Sequence, residues 1–162
     1  MGSGAFSSCT SLTRVRLGST ITTIPGSAFA SCTKLQDLVL PHTLVTIDSG
    51  AFSSCKALKY LEIPENVRTI NSSAFYQAFY DEKGTIVFLN PSFDTISSSA
   101  FVYCKFDNVV LPPVTTLSNS AFAYCDIDYL DLSNLTLTSV PSNLFERATI
   151  KKLILWKDIT SI

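Results

Sequence analysis

The sequence predicts a β-rich repeat fold of the α/β class, a solenoid of short parallel strands with short helical turns on the opposite side. The first observation is an Ala-Phe dipeptide that recurs at a nearly constant step. Its copies begin at Ala5, Ala28, Ala51, Ala74, Ala100 and Ala121, and Leu144-Phe145 is a seventh, degenerate copy. The second is a Leu-x-x-apolar-x-apolar run between successive copies. A fixed period of about 20 to 50 residues indicates stacked units that cannot bury their apolar sides alone.

Composition supports a folded chain and excludes several function classes. Apolar residues make up 46% of the 162 residues and charged residues 15%, so disorder is not expected. The net charge is −1 without runs of like charge, which argues against nucleic-acid binding through bulk charge. No stretch of 18 apolar residues and no basic start followed by an apolar run is present, so we expect neither a membrane span nor a secretory leader.

The Leu-x-x-apolar-x-apolar runs predict the strands. Residues 12–17, 35–40 and 58–63 carry the pattern, and its last four positions alternate as in a strand with one buried face. Pro41, Pro64 and Pro112 end three of these strands. The inward pairs of the later units are predicted to be Val87 and Leu89, Val109 and Leu111, Leu130 and Leu132, and Leu153 and Leu155. We therefore expect seven parallel strands in one sheet, roughly 30 Å long at about 4.8 Å per strand.

The segment around each Ala-Phe forms the other side of the unit. It is too short for an independent helix, so we predict a single helical turn in each unit. A large apolar residue lies four residues before each Ala, and we expect this position to form a second short strand. The position is occupied by Met1, Ile24, Ile47, Ile70, Ile96, Leu117 and Val140, and Ile162 opens an eighth unit.

The repeat resembles the BspA-like leucine-rich repeats (LRR), whose unit reads Leu-x-x-apolar-x-apolar-Pro-x-x-apolar-x-x-Ile-x-x-x-Ala-Phe-x-x-Cys. Residues 28–64 match this unit almost throughout, and the likeness spans the chain. The resemblance implies a right-handed leucine-rich-repeat solenoid with a concave parallel sheet, and a role in adhesion and protein binding at a cell surface or after secretion. One departure is a three-residue enlargement over residues 76–84, whose charged tip we expect to protrude.

Five cysteines are the first chemical candidates. Cys9, Cys32, Cys55, Cys104 and Cys125 follow their Ala-Phe pairs at one fixed position, which Ala78 and Ala148 fill in two other units. Their spacing matches no metal-binding pattern, and the single histidine, His42, follows Pro41 in a loop. We expect a buried row of inert free thiols, since burial raises the pKa of a thiol. Free thiols would suit a reducing cytosol, in conflict with the surface location that the resemblance implies.

Enzymatic motifs are absent from the sequence. It contains no Gly-x-Ser-x-Gly, no phosphate-binding glycine loop and no His-Glu-x-x-His. Asp126, Asp128 and Asp131 form one acidic cluster. We expect Asp131 to lie on a strand and the other two in a solvated turn. Two carboxylates in a turn provide too few oxygen ligands for calcium. We therefore predict no enzyme activity, no metal and no cofactor.

The exposed side of the sheet, hereafter the strand face, is the predicted binding site. The first column of outward residues contains Arg14, Asp37, Tyr60, Ile86, Asn108, Tyr129 and Lys152, and the second contains Arg16, Val39, Glu62, Phe88, Val110, Asp131 and Ile154. Their centre forms an apolar patch of the kind that marks interaction sites. The alternative is that alternation fails beside the enlargement, which would bury Ile86 or Phe88, because a one-residue slip reverses every side chain.

A protein or peptide is the expected partner of this face, and carbohydrate is the second candidate because exposed aromatic rings also stack on sugars. Asn71 and Asn134 begin glycosylation triplets by pattern only. Residues 1–162 are expected to form a single solenoid of about seven units of ~23 residues. Because neither end resembles a polar cap, we expect a fragment of a longer protein. The alternative function is structural assembly, with uncapped ends stacking on one another.

Overall fold

Two parallel sheets run along the repeat in a computed structural model that describes residues 1–161. The first sheet contains seven strands: β1 (Arg14–Arg16), β3 (Asp37–Val39), β5 (Tyr60–Ile63), β7 (Gly84–Phe88), β9 (Lys105–Val110), β11 (Asp126–Asp131) and β12 (Thr149–Ile154). The second contains β2 (Thr23–Ile24), β4 (Thr46–Ile47), β6 (Thr69–Ile70), β8 (Phe93–Ile96) and β10 (Val114–Leu117). The predicted seven-stranded parallel sheet is confirmed, and the second row of short strands is confirmed except at Met1 and Val140, which lie in no strand. The predicted eighth apolar position, at Ile162, lies outside the described residues.

Each strand pairs with the equivalent strand of the next unit. Arg14 is aligned with Asp37 and Val15 with Leu38, so residues one repeat apart are neighbours in the sheet. Side chains alternate between the two sides of a strand, and β5 accordingly buries Leu61 and Ile63 while exposing Tyr60 and Glu62. The repeat period therefore places the same position of every unit in one row.

The phenylalanines of the Ala-Phe pairs form a continuous stack inside the solenoid. The rings of Phe29, Phe52, Phe75, Phe101 and Phe122 lie with successive centroids 5.5, 5.4, 5.4 and 5.2 Å apart and nearly parallel. This offset arrangement is favourable for aromatic pairs and adds to the burial of the rings. The stack couples each unit mainly to its two neighbours, as expected of a solenoid.

The predicted helical turns are wrong, and the turn side is built from stacked tight turns instead. Ser27 and Ser31 have φ values of 55° and 60°, in the left-handed region, on either side of Ala28-Phe29-Ala30. The amide of Cys32 donates to the carbonyl of Phe29 at 3.2 Å, whereas that of Phe29 donates to Ala51 of the next unit at 2.9 Å. A helix cannot form because every second amide is used between units. No helix occurs in residues 1–161, and hence none that could cross a membrane.

The enlarged fourth unit only partly protrudes. Tyr80, Asp81 and Glu82 are exposed, as expected of a protruding tip, but Lys83 is half-buried and Gly84 is buried at the start of β7. The ring of Phe79 lies inside the core with its centroid 5.1 Å from that of Phe106. The enlargement therefore contributes an additional core side chain and returns to the sheet at Gly84.

Candidate functional site: the strand face

Most residues predicted for the strand face lie there. Arg14, Arg16, Asp37, Val39, Tyr60, Glu62, Asn108, Val110 and Lys152 are exposed, and Tyr129, Asp131 and Ile154 are half-buried. Their rows follow from the register, which aligns Asp37 with Tyr60 and Tyr129 with both Asn108 and Lys152. Outside the fourth unit, the residues of each predicted column thus lie side by side, although Leu153, expected to be buried, is 39% exposed in the last strand.

In the fourth unit the predicted orientation is wrong. Ile86 is only 3% exposed and belongs to the core, while Phe88 is half-buried and packs edge-on against Phe93 and Phe101 at 5.7 and 6.5 Å. Strand pairing aligns Ile86 with the buried Leu61. The inward positions predicted for Val87 and Leu89 are therefore wrong as well. The enlargement shifts the strand by one position relative to the pattern, which is the alternative that the sequence left open.

The shifted strand changes the members of the apolar patch without removing it. Val87 and Leu89 now occupy the outer side of the fourth unit, beside Val39, Tyr60 and Val110. Leu89 is 46% exposed, close to the values for Val39 at 44%, Tyr60 at 51% and Val110 at 42%. We call these five residues the strand-face patch. Large exposed apolar side chains that share one face are typical of interaction surfaces.

Two grooves lie in the strand-face patch and meet at Leu89. The larger groove, of about 500 Å³, is lined by Val87, Leu89 and Val110 among others. The smaller groove, of about 300 Å³, is lined by Val39, Tyr60, Glu62, Glu65 and Leu89 among others. A register irregularity in the pairing of β7 with β9, at Gly84 and Thr85, lies beside the larger groove. Such irregularities bend a strand locally and redirect its side chains.

Tyrosine rings on this face are held by carboxylates two residues further along the strand. The hydroxyl of Tyr60 donates to Oε1 of Glu62 at 2.6 Å, and that of Tyr129 donates to Oδ2 of Asp131 at 3.2 Å. The hydrogen bond to Glu62 raises the pKa of the Tyr60 hydroxyl above its usual range. In addition, Nζ of Lys152 lies 5.2 Å from the ring centre of Tyr129. Both rings are therefore fixed along their strands.

Charged residues form a further row at the start of the strands, which the sequence analysis missed. Lys59 pairs with Glu82 at 2.8 Å, Lys83 with Asp126 at 2.9 Å and also with Asp128, and Lys151 with Asp128 at 2.8 Å. Asp126 and Asp128 lie on β11, so their predicted place in a turn is wrong. The missed signal is the position directly before the first outward column, which is uncharged in the first two units but charged at Lys59, Asp128 and Lys151. Arg14 and Asp37, which are neighbours in the first outward column, also form an ion pair, at 2.8 Å.

The cysteine row lies on the other side of the solenoid from the patch, within the core. Cys32, Cys55, Cys104 and Cys125 are buried free thiols, and Cys9 is exposed. Each buried thiol donates to a phenylalanine carbonyl of the neighbouring unit, as Cys55 does to Phe29 at 3.2 Å. Desolvation by burial raises the pKa of Cys55 and of Cys125 to about 12. These thiols are therefore poor nucleophiles at neutral pH. Their hydrogen bonds are a feature that the sequence analysis did not foresee.

The repeat pattern, sheets and core agree with one family of repeat proteins. The family model of the BspA type leucine rich repeat region matches residues 1–78 and 76–162 with six copies. The chain belongs to the BspA-type leucine-rich-repeat family. A comparison with proteins of curated function finds no match.

Two solved structures share the leucine-rich-repeat fold with this BspA-type chain. A leucine-rich repeat protein from Bacteroides ovatus is 24% identical with a TM-score of 0.60 over 91% of this chain and 32% of its own. A leucine rich cell surface protein from Faecalibacterium prausnitzii is 22% identical with a TM-score of 0.55 over 89% of this chain and 47% of its own. This BspA-type chain thus spans about a third of the first protein and about half of the second.

Other polar groups of the BspA-type repeat are engaged in packing. The side-chain amide of Asn71 donates to Oδ1 of Asp48 at 2.8 Å, and that of Asn134 donates to the carbonyl of Leu111 at 3.0 Å. Both asparagines of the glycosylation triplets therefore link neighbouring units. Within residues 1–161, no group of three His, Cys, Asp or Glu side chains is placed to hold a metal ion.

Proposed function

We propose that this chain is a non-enzymatic binding module that presents its strand face to a protein partner. The observation that carries the proposal is the clustering of exposed apolar side chains in the strand-face patch. Burying such side chains against a partner is favourable by about 25 cal/mol per Å² of apolar surface. The grooves beside Leu89 provide the concave shape that anchoring side chains of a partner require.

The chemistry of the patch favours a protein over a carbohydrate. Val39, Val87, Leu89 and Val110 are aliphatic, and Tyr60 is the one aromatic member. Aliphatic surface suits the apolar side chains of a polypeptide, whereas sugars stack on aromatic rings. The other tyrosine on the face, Tyr129, is half-buried with Lys152 beside its ring. A protein or peptide partner is therefore the better fit.

The position of the nucleophilic and basic groups supports a function without catalysis. His42 is exposed and lines the smaller groove on the strand side. Nucleophile activation needs a base within hydrogen-bond reach of the thiol, and the four buried cysteines instead donate to backbone carbonyls.

We further propose that this binding module acts in adhesion at a cell surface. Support comes from the family and from the Faecalibacterium protein, which is described as a cell surface protein. The exposed apolar patch would then serve contact with a protein outside the cell. This part of the proposal can be tested by labelling whole cells that express the full-length parent with an antibody against this chain, with and without permeabilisation.

The test of the binding face uses a random peptide library displayed on phage and selected on the immobilised chain. Clones that bind are then measured on Val110→Asp and Leu89→Asp. We expect both variants to lose at least about tenfold in affinity, since each places a charge in the patch. Val45→Asp is the matched control, because Val45 is 40% exposed but lies beside the second sheet. Selected clones that bind all three variants equally would refute the proposal.

A further inference from the structure

We infer that the partner segment carries a lysine or arginine about three positions from an apolar residue, with the cation seated against Glu62 and Glu65 and the apolar side chain between Val87 and Val110. The inference rests on the proposed function, because it assigns the chemistry of the partner for the same face. It is drawn from the contrast in charge between the two grooves on either side of Leu89.

The larger groove accepts an uncharged side chain. Its lining contains no ionisable residue, and it includes the exposed Leu89 and Val110 and the half-buried Val87. Of the three asparagines in the lining, Asn90 donates to the carbonyl of Val67 at 2.7 Å and Asn134 to that of Leu111 at 3.0 Å, while the exposed amide of Asn108 is a neutral polar group. A charged group entering this groove would lose water without gaining an opposite charge. An aliphatic or aromatic side chain would bury its surface at no such cost.

The smaller groove, by contrast, is lined by acidic residues. Glu62 and Glu65 line it together with the ring of Tyr60, the side chain of Val39 and the imidazole of His42. Neither carboxylate forms an ion pair with a Lys or Arg within residues 1–161. The hydrogen bond from Tyr60 occupies Oε1 of Glu62 at 2.6 Å, which leaves Oε2 available. Two unpaired carboxylates beside an apolar wall complement a cation with an apolar stem.

Lysine and arginine have this combination of properties. Their methylene stems pack along apolar surface while the charged head reaches polar groups. In the smaller groove the stem would lie against Val39 and Leu89, and the head would meet Glu62 and Glu65. The face of the Tyr60 ring adds a favourable contact for the same cation. An anionic side chain would be repelled from this groove by both carboxylates.

The separation of the grooves limits the spacing of the two side chains in the partner. Glu62 lies on β5 and Val110 on β9, with β7 between them. Two strand steps amount to about 10 Å. Three residues of polyproline II chain cover about 9 Å. We therefore expect the basic and the apolar residue to be about three positions apart in an extended segment.

Peptides selected from the phage library provide the test. The expected consensus contains Lys or Arg about three positions from Leu, Ile, Val or Phe. Binding of a synthetic consensus peptide is measured by fluorescence polarisation on the unmodified chain, on Glu62→Gln/Glu65→Gln and on Glu62→Lys/Glu65→Lys. We expect about a fivefold loss for the neutral variant and at least a tenfold loss for the reversed one. Asp81→Lys is the control, since Asp81 is an exposed carboxylate on the loop tip, and it should bind as the unmodified chain does.

A charge-swapped peptide, with its basic residue replaced by Glu, makes the test reciprocal. It should bind Glu62→Lys/Glu65→Lys better than it binds the unmodified chain. Peptides that lose binding on Val110→Asp but contain no basic residue, or that tolerate both Glu62/Glu65 variants, would overturn this inference and leave the binding face intact. Peptides that tolerate Val110→Asp and Leu89→Asp would overturn the proposed function itself. Circular dichroism melts of each variant show that the fold is kept.

Discussion

Gly84 lies directly against the ring of Phe79 at the point where the enlarged fourth unit returns to the sheet. A Cβ atom on Gly84 would be 2.5 Å from Cδ1 of Phe79 and 2.7 Å from the carbonyl oxygen of Lys59. The same carbonyl accepts the amide of Thr85 at 2.9 Å. The ring of Phe79, which comes from the loop, thus fills the space that a side chain at position 84 would occupy. The absence of a side chain at Gly84 is required by space and not by an unusual φ.

Gly84→Ala is therefore predicted to destabilise the chain. The ring of Phe79 could move, but the carbonyl of Lys59 belongs to the paired backbone of the sheet. We expect a loss of about 1 to 3 kcal/mol in the free energy of unfolding, as for other overpacked cores. Urea denaturation measures it. Gly18→Ala is the control, because no atom lies within 4 Å of a Cβ added there, and its stability should change by less than about 0.5 kcal/mol.

Phe88→Asp and Leu89→Asp, on adjacent residues, test the register of the fourth strand. Phe88 packs on Phe93 and Phe101, so a carboxylate at this position is expected to cost about 3 kcal/mol or more. Leu89 is 46% exposed, so the same change there should alter the free energy of unfolding by about 1 kcal/mol at most. Thermal melts of the two variants provide the comparison. A larger loss for Leu89→Asp would instead support the orientation that the sequence pattern suggests, with Leu89 pointing inward.

The fourth unit shows why sequence patterning predicts most of this fold but not all of it. In β5, polar Glu62 separates Leu61 from Ile63 and marks the outer side. Residues 86–89, by contrast, read Ile-Val-Phe-Leu without a polar residue, so both orientations look equally apolar. Which side of β7 faces inward depends on how the enlargement packs at Gly84. The two-residue alternation of a strand carries no information about that packing. Identification of the patch as aliphatic therefore required the structure.

The turn side was mispredicted for a different reason. The Ala-Phe segments have a composition compatible with a helical turn, and local propensity is a weak guide. What decides the conformation is that the amide of Phe29 bonds Ala51 in the next unit at 2.9 Å. Such a competition between local and inter-unit hydrogen bonds appears only once the units are stacked. The strand positions, fixed by burial of one face, were predictable.

Replacing a phenylalanine of the stack by alanine is predicted to cost more stability in the middle of the stack than at its end. Phe52 is fully buried between Phe29 and Phe75, at 5.5 and 5.4 Å. Phe52→Ala should cost about 3 to 5 kcal/mol. Phe6 is 44% exposed and stacks on Phe29 at 5.2 Å, so Phe6→Ala should cost less than about 2 kcal/mol. Urea denaturation of both variants checks the difference. Equal losses would contradict coupling between neighbouring units.

Lys83 is predicted to fasten the enlarged unit to β11. Its ammonium group pairs with Asp126 and Asp128 across the intervening strand, and its side chain is 23% exposed. Lys83→Met should lower the free energy of unfolding by about 1 kcal/mol, and the loss should shrink in 1 M salt. The control is Arg14→Met, whose pair with Asp37 is far more exposed, at 76% and 57%. A loss for Arg14→Met as large as that for Lys83→Met would argue against this role.

The buried thiols predict a fall in stability at alkaline pH. Burial raises the pKa of Cys55 and Cys125 from 9.0 to about 12. Above pH 9 the unfolded chain releases these protons while the folded chain retains them, so the free energy of unfolding falls as pH rises from 9 to about 12. At pH 10 each of the two thiols should account for about 1 kcal/mol of this fall.

The matched control for the thiols is the double variant Cys55→Ala/Cys125→Ala. Ala78 and Ala148 already occupy this position in two other units, and the carbonyl of Phe29 still accepts the amide of Cys32 at 3.2 Å without the thiol of Cys55. Urea denaturation at pH 7, 9 and 10 should show a smaller decline for the variant than for the unmodified chain. Because all other titrating groups are shared, equal declines would mean that the two thiols titrate in the folded chain as they do in the unfolded one.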